Sequence, residues 1–359
     1  MNDLLAPELA EDLAVTYDKK AFPKLFNEAA RCAHWLHNYG RKFDLGQPGT
    51  VEARSWRQGK MGQPAELPGE RLWWDPEVYL SALDSAAAHP GQPRHLRLRG
   101  ALEKFFEREQ HFCNRTERPE LLAIAAAARR LFAAQTSSFV QALDWSEELC
   151  QPYLRWAKEL ITPEDHVVTF NYDLVPDKLA IETSTLQTVL PDGSVPKTCA
   201  PVLKLHGSVD WVKAKNGQVS KAVRDDMALV CDDDALAVAT PGPGKLDVSN
   251  RLEPLWSMAQ NALRNATSIV VLGFRFPPAD SHARERLLSA VSENEDSQLR
   301  VQIILGPETQ KADVLRTKRL FEFALACRKA APPATATADP LLVEDFLSIA
   351  VRSELVAFR

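Results

Sequence analysis

The chain has 359 residues, 45% apolar and 25% charged, enough for one large or two smaller globular domains. Lys and Arg number 43 against 48 Asp and Glu, a formal net charge of −5, so no nucleic-acid surface is expected. The short basic strip His95-Leu-Arg-Leu-Arg99 reads as a solvated helix or strand end. No run of about 18 apolar residues suggests a membrane span. The acidic start Met1-Asn-Asp-Leu-Leu is not a signal peptide, so a cytoplasmic protein is expected. The cysteines, Cys32, Cys113, Cys150, Cys199, Cys231 and Cys327, show no CxxC spacing and read as inert thiols rather than a zinc module.

In chain order, residues 8–38 read as helical, with Pro23 near the start of an amphipathic run and Gly40 able to end it. His34 and His37 share a helix face, but no nearby carboxylate or third His supports a metal role. From Gly40 to Glu70 the chain is rich in Gly, Pro and charge and reads as a long loop, with Trp73-Trp74 packing it onto the body. Helical patterns return at 76–88, 99–112 and 119–160. The last contains an alanine-rich stretch of high helix propensity from Leu121 to Ala134. Trp145, Tyr153 and Trp156 fall at helical spacing and read as core.

Near residue 165 the pattern changes. Short apolar, β-branched runs at 166–170, 201–206, 227–231, 268–274 and 299–305 alternate with helical patterns at 173–182, 250–266, 279–292 and 309–329. This alternation predicts an α/β fold with a Rossmann-like, mostly parallel sheet and right-handed crossovers, carrying a large helical insert or subdomain. Residues 1–160 are then a mainly helical region with the loop at 40–70, and 161–330 the Rossmann-like region. Residues 331–359 form a low-complexity linker and a last helix over 341–356.

Three strand ends carry polar or small residues, and carboxyl ends of strands are where open α/β sheets bind ligands. The first is His166-Val-Val-Thr-Phe-Asn-Tyr-Asp173. Asn171 offers one acceptor and two donors, which suits a ribose hydroxyl or a water, and Asp173 can accept from a carboxamide. From this segment alone the pair reads more readily as an Asx turn followed by a helix N-cap. The second is Leu203-Lys-Leu-His-Gly-Ser-Val-Asp-Trp211. His206 at a strand end can relay a proton, and Gly207 permits a sharp turn and close approach of a ligand; a structural His fits as well. Asp210 and Trp211 can line the same mouth.

The third is Ser268-Ile-Val-Val-Leu-Gly-Phe-Arg-Phe-Pro-Pro-Ala-Asp280. Gly273 again permits close backbone approach, Arg275 can donate to a phosphate, and Asp280 also reads as an N-cap. A fourth strand runs into Gly306-Pro-Glu308. Glu308 can bond a ribose diol or simply start a helix.

TFNYD, LHG and VLGF in this order resemble the SIR2-like (sirtuin-related) family over residues 160–310, and the helical 70–160 region is similar in character to that family's variable insert. The resemblance implies NAD as substrate or ligand. It matches Asn171 and Asp173 to the Asn-x-Asp that contacts nicotinamide ribose and carboxamide, His206 to the catalytic His, and Gly273 to the Gly near the phosphates. No zinc cysteines follow the His-Gly, which disfavours protein deacylation. The similarity is instead to the zinc-free, mostly bacterial branch, where NAD hydrolysis in antiviral defence recurs; a homo-oligomer or a defence-system partner protein is the implied assembly. The Gln before the family Asn is Phe170, and the small hydroxyl residues after the Gly are Phe274 and Arg275. Residues 1–30 hold no glycine, so the family's Gly-Ala-Gly loop is expected either upstream of Met1 or lost. Two expectations follow: an NAD hydrolase using Asn171 and His206, or a degenerate, non-enzymatic module that binds a nucleotide or a partner.

Overall fold

The computed structural model describes residues 143–214, 216–222, 235–238, 251–276, 280–307, 311–329 and 336–352, with Lys20 and a few positions between 129 and 140. Lys20 apart, the expected helices at 8–38, 76–88 and 99–112, the loop at 40–70, the strand at 227–231 and Glu308 lie outside them. The chain is mixed α/β and forms two compact units that interleave along the sequence. One comprises Leu143–Asn171, Val175–Leu205 and Leu252–Arg359; the other comprises Met1–Ala142, Tyr172–Leu174 and His206–Arg251.

The first unit holds two parallel three-stranded sheets. In one, β3 (Ala200–Lys204) lies between β1 (Val167–Thr169) and β2 (Leu186–Thr188), in the registers Thr169↔Lys204 and Leu186↔Ala200. Helix α2 (Val175–Thr183) connects β1 to β2. Every residue of β3 is buried, which is why Pro201-Val-Leu reads as a continuous apolar run rather than an alternating one. In the other sheet, β8 (Arg300–Ile304) lies between β7 (Ser268–Leu272) and β9 (Ala336–Asp339). Helices α4 (Ser281–Ser292) and α5 (Lys311–Ala326) make the two successive crossovers, as parallel pairing requires.

Helix α3 (Glu253–Asn265) precedes β7, with Pro254 in its first turn, where a missing N–H goes unneeded. Leu255, Trp256 and Ala259 form its buried face. Burial of a side chain the size of Leu255 contributes about 1.5–3 kcal/mol.

The expected single helix over 119–160 is broken. The described positions between 129 and 140 are helical, but residues 143–147 are not. There Asp144 Oδ1 accepts from the backbone N–H (2.8 Å) and hydroxyl (2.7 Å) of Ser146, a local bond that competes with helix. A short turn, Glu148–Cys150, then leads into α1 (Gln151–Arg155) and a π-helical turn, Trp156–Leu160. Tyr153 and Trp156 pack against the buried cluster of Ala157, Leu179, Leu186, Ala200 and Val202, and also against that of Ile304, Phe346 and Leu347. They tie together the cores under the two parallel sheets. Helix α6 (Val343–Arg352) supplies Phe346 and Leu347, and Tyr153 Oη donates to Glu344 Oε1 at 2.9 Å.

Two further expectations are corrected. Residues 336–339, read as linker, form β9. Their small side chains carry no strand signal, and backbone pairing with β8 from Val301↔Ala336 to Ile304↔Asp339 holds them. The strand expected at 201–206 ends at Lys204, and a new strand, β4 (Gly207–Lys213), starts after a two-residue turn. β4 belongs to the second unit, where it lies antiparallel between β5 (Val219–Lys221) and β6 (Leu236–Val238). Among the described residues no helix is long and apolar enough to cross a membrane.

Candidate functional site

In the second unit, the Tyr172–Leu174 segment meets the start of β4. Tyr172 and His206 are both buried, 7% and 3% exposed. Their rings lie 5.8 Å apart and 26° from parallel, and Tyr172 Oη is 3.5 Å from His206 Nδ1. The Tyr172 carbonyl accepts from the Val209 N–H at 3.0 Å and from Ser208 Oγ at 3.5 Å. Two motifs 34 residues apart are thus joined by main chain and side chain alike. Asp173, next in the chain, is half-buried.

Gly207 turns the chain with φ +82°, a conformation side chains disfavour. A Cβ there would lie 2.1 Å from the Ala237 carbonyl oxygen of β6. The close approach that Gly207 permits is therefore that of a neighbouring strand. Asp210 and Trp211 are fully buried on β4, and Asp210 Oδ2 pairs with Lys221 Nζ at 3.1 Å.

In the first unit, β1 ends in Thr169, whose Oγ1 accepts from the backbone N–H of Asn171 at 3.1 Å. The turn is thus shaped by a threonine hydroxyl. Asn171 itself is exposed, and its carboxamide makes no hydrogen bond to a described residue. Leu205 N donates to Thr169 O at 3.0 Å, which continues the β1–β3 pairing one residue past β3.

Just past β7 and β8 come Gly273 (φ +70°) and Gly306 (φ +83°), and at both a Cβ would meet nothing within 4 Å. The Gly273 N–H donates to Ile304 O at 2.8 Å, so the two glycines sit at the carboxyl ends of neighbouring strands. Arg275 is exposed. Its carbonyl accepts from Arg316 Nη2 at 2.7 Å, and that of Phe276 from Arg316 Nη1 at 2.9 Å. This fork fixes a loop in which Phe276 takes φ +50°, unusual for a bulky residue. Phe170, after β1, stacks on Phe274 with centroids 4.1 Å apart. That stack brings the Asn171 turn beside the loop carrying Gly273 and Arg275, all within one unit. Asp280 occupies the N-cap position of α4 without a side-chain capping bond.

Tyr172, Phe170, Phe274 and Arg316 were not singled out as candidates from the sequence. Tyr172 lies inside TFNYD, but its reach to His206 is a long-range contact that no local pattern carries. Among the described residues no group of three or more His, Cys, Asp or Glu is placed to hold a metal ion; His34 and His37 lie outside them. No family model matches the chain, and no curated protein matches it.

Proposed function

We propose that the protein binds NAD and cleaves its nicotinamide–ribosyl bond with water, releasing nicotinamide, ADP-ribose and a proton. The observation that carries this reading is the contact of Tyr172 with His206, which joins the TFNYD and LHG motifs. The Asn171 carboxamide, which bonds no described residue, and the room for a Cβ at Gly273 and Gly306 add support. In this reaction the carbon–nitrogen bond electrons leave with nicotinamide through an oxocarbenium-like transition state. Water attacks the ribosyl carbon. His206 takes the proton of that water or of a ribose hydroxyl. In this reading Asn171 orients ribose and water, Asp173 accepts from the carboxamide of the leaving group, and Gly273 and Arg275 serve the phosphates.

The test follows nicotinamide release by the purified chain beside His206→Ala and Asn171→Ala. Loss of a positioned general base lowers turnover by about 10²–10⁴-fold. Turnover unchanged in His206→Ala sinks the assignment.

One observation favours a second reading, a module that binds a nucleotide or a partner without turnover. Phe170 and Phe274 stack on each other where the resemblance has a Gln and a small hydroxyl residue. An apolar pair there removes polar partners for a ribose. NAD binding without nicotinamide release in any of the three proteins would favour this reading.

A further inference from the structure

We infer that Tyr172 is a positioning residue that sets the tautomer of His206, a step that rests on the proposed base role of His206. A neutral imidazole has one N–H donor and one acceptor nitrogen, and the bond made by one nitrogen decides which the other becomes. Tyr172 Oη lies 3.5 Å from Nδ1, within reach of that ring nitrogen, with the two rings 26° from parallel. If Nδ1–H donates to the phenol oxygen, Nε2 carries the lone pair and can take a proton from a reacting water.

The main chain of Tyr172 is itself held in place. The Tyr172 carbonyl takes the Val209 N–H and the Ser208 hydroxyl from the same strand that begins beside His206. Both side chains are buried, and a weak bond gains strength where water does not compete. The role is that of an orienting group in a nucleophile–base–orienter chain, filled by a phenol instead of a carboxylate. The tyrosine donates no proton to substrate and touches no reacting atom.

The test is a nitrogen-15 NMR spectrum of the full chain with labelled histidine, recorded without NAD at about pH 8, above the ordinary imidazole pKa. The His206 signals are identified as those lost in His206→Gln. The wild type is expected to show His206 protonated on Nδ1, and Tyr172→Phe to lose that preference. In turnover, Tyr172→Phe should lower kcat about 10- to 100-fold with KM little changed, the scale at which outer partners of histidine act. An Nε2–H tautomer in the wild type overturns the inference, as does an unchanged tautomer in Tyr172→Phe. Should Tyr172→Phe fail to fold, the wild-type spectrum alone decides. The expected tautomer in a chain that releases no nicotinamide would leave Tyr172 in this role and retire the hydrolase reading instead.

Discussion

Phe170 lies over Phe274 with ring centroids 4.1 Å apart and planes within 11° of parallel. The two follow strands of different sheets, and the stack is where the outlets of β1 and β7 meet. Trp256 lies tilted against Phe170 at 6.0 Å and Phe276 sits edge-on to Phe274 at 4.6 Å, so the pair is one part of a wider aromatic group. An aromatic pair contributes about 0.5–1.5 kcal/mol beyond the area it buries.

A double-mutant cycle should show that coupling. Phe170→Ala and Phe274→Ala are each expected to lose about 2–3 kcal/mol, below the full-burial range because both rings are only half-buried. The double variant should lose less than the sum by about 0.5–1.5 kcal/mol. Urea denaturation measures this, and strict additivity would mean that the stack carries no energy of its own.

Two glycines with the same backbone sign should respond differently. Gly273→Ala meets only the left-handed penalty, about 1–2 kcal/mol, because nothing stands within 4 Å of its Cβ. Gly207→Ala meets the same penalty and also the Ala237 carbonyl at 2.1 Å, a backbone atom that cannot swing away. It should lose at least twice as much stability in the same denaturation experiment. Equal losses would show that β6 yields easily.

Lys204 and Asp177 form an ion pair at 2.6 Å, 0% and 6% exposed, between β3 and α2. Removing one partner of a buried pair costs about 3–5 kcal/mol because the other charge is stranded. Lys204→Met should therefore be strongly destabilised. Lys204→Met with Asp177→Leu should be less destabilised than Lys204→Met alone. A double variant as unstable as the two single losses summed would show that the pair is not coupled.

Burial, then the hydrogen bond to Glu344, then the Glu344 charge, push the Tyr153 phenol above its ordinary pKa. The folded value is raised, so its contribution to stability is full below the unfolded pKa of about 10. Above that, the unfolded chain releases the proton first and the contribution is lost as pH rises towards the folded value. Urea midpoints between about pH 8 and 11 should fall more steeply for the wild type than for Tyr153→Phe. Tyr153→Phe should also lose about 0.5–1.5 kcal/mol at neutral pH with its hydrogen bond. Parallel pH profiles for the two proteins would contradict this.

The elements that could be read in advance are those whose side chains match their surroundings. Ile269-Val-Val-Leu272 and Val301-Gln-Ile-Ile304 are β-branched runs, and they form β7 and β8. β9 was hidden because Ala336-Thr-Ala-Asp339 has only small side chains, and what holds it is main-chain pairing. β4 was hidden because Gly207 looks like a strand end, whereas its positive φ lets the chain enter a second sheet at once. For the candidate site, the strand-end positions of Asn171 and Gly273 were legible from the apolar runs before them. The Tyr172–His206 contact was not, since it depends on where two segments 34 residues apart come to lie.

The late arrival of β9 bears on how the chain leaves the ribosome. β7 and β8 are made first, and roughly 30 residues follow β8 before its second neighbour exists, a few seconds at ordinary synthesis rates. For that interval the apolar β8 presents an unpaired edge, the kind of surface on which two nascent chains can pair.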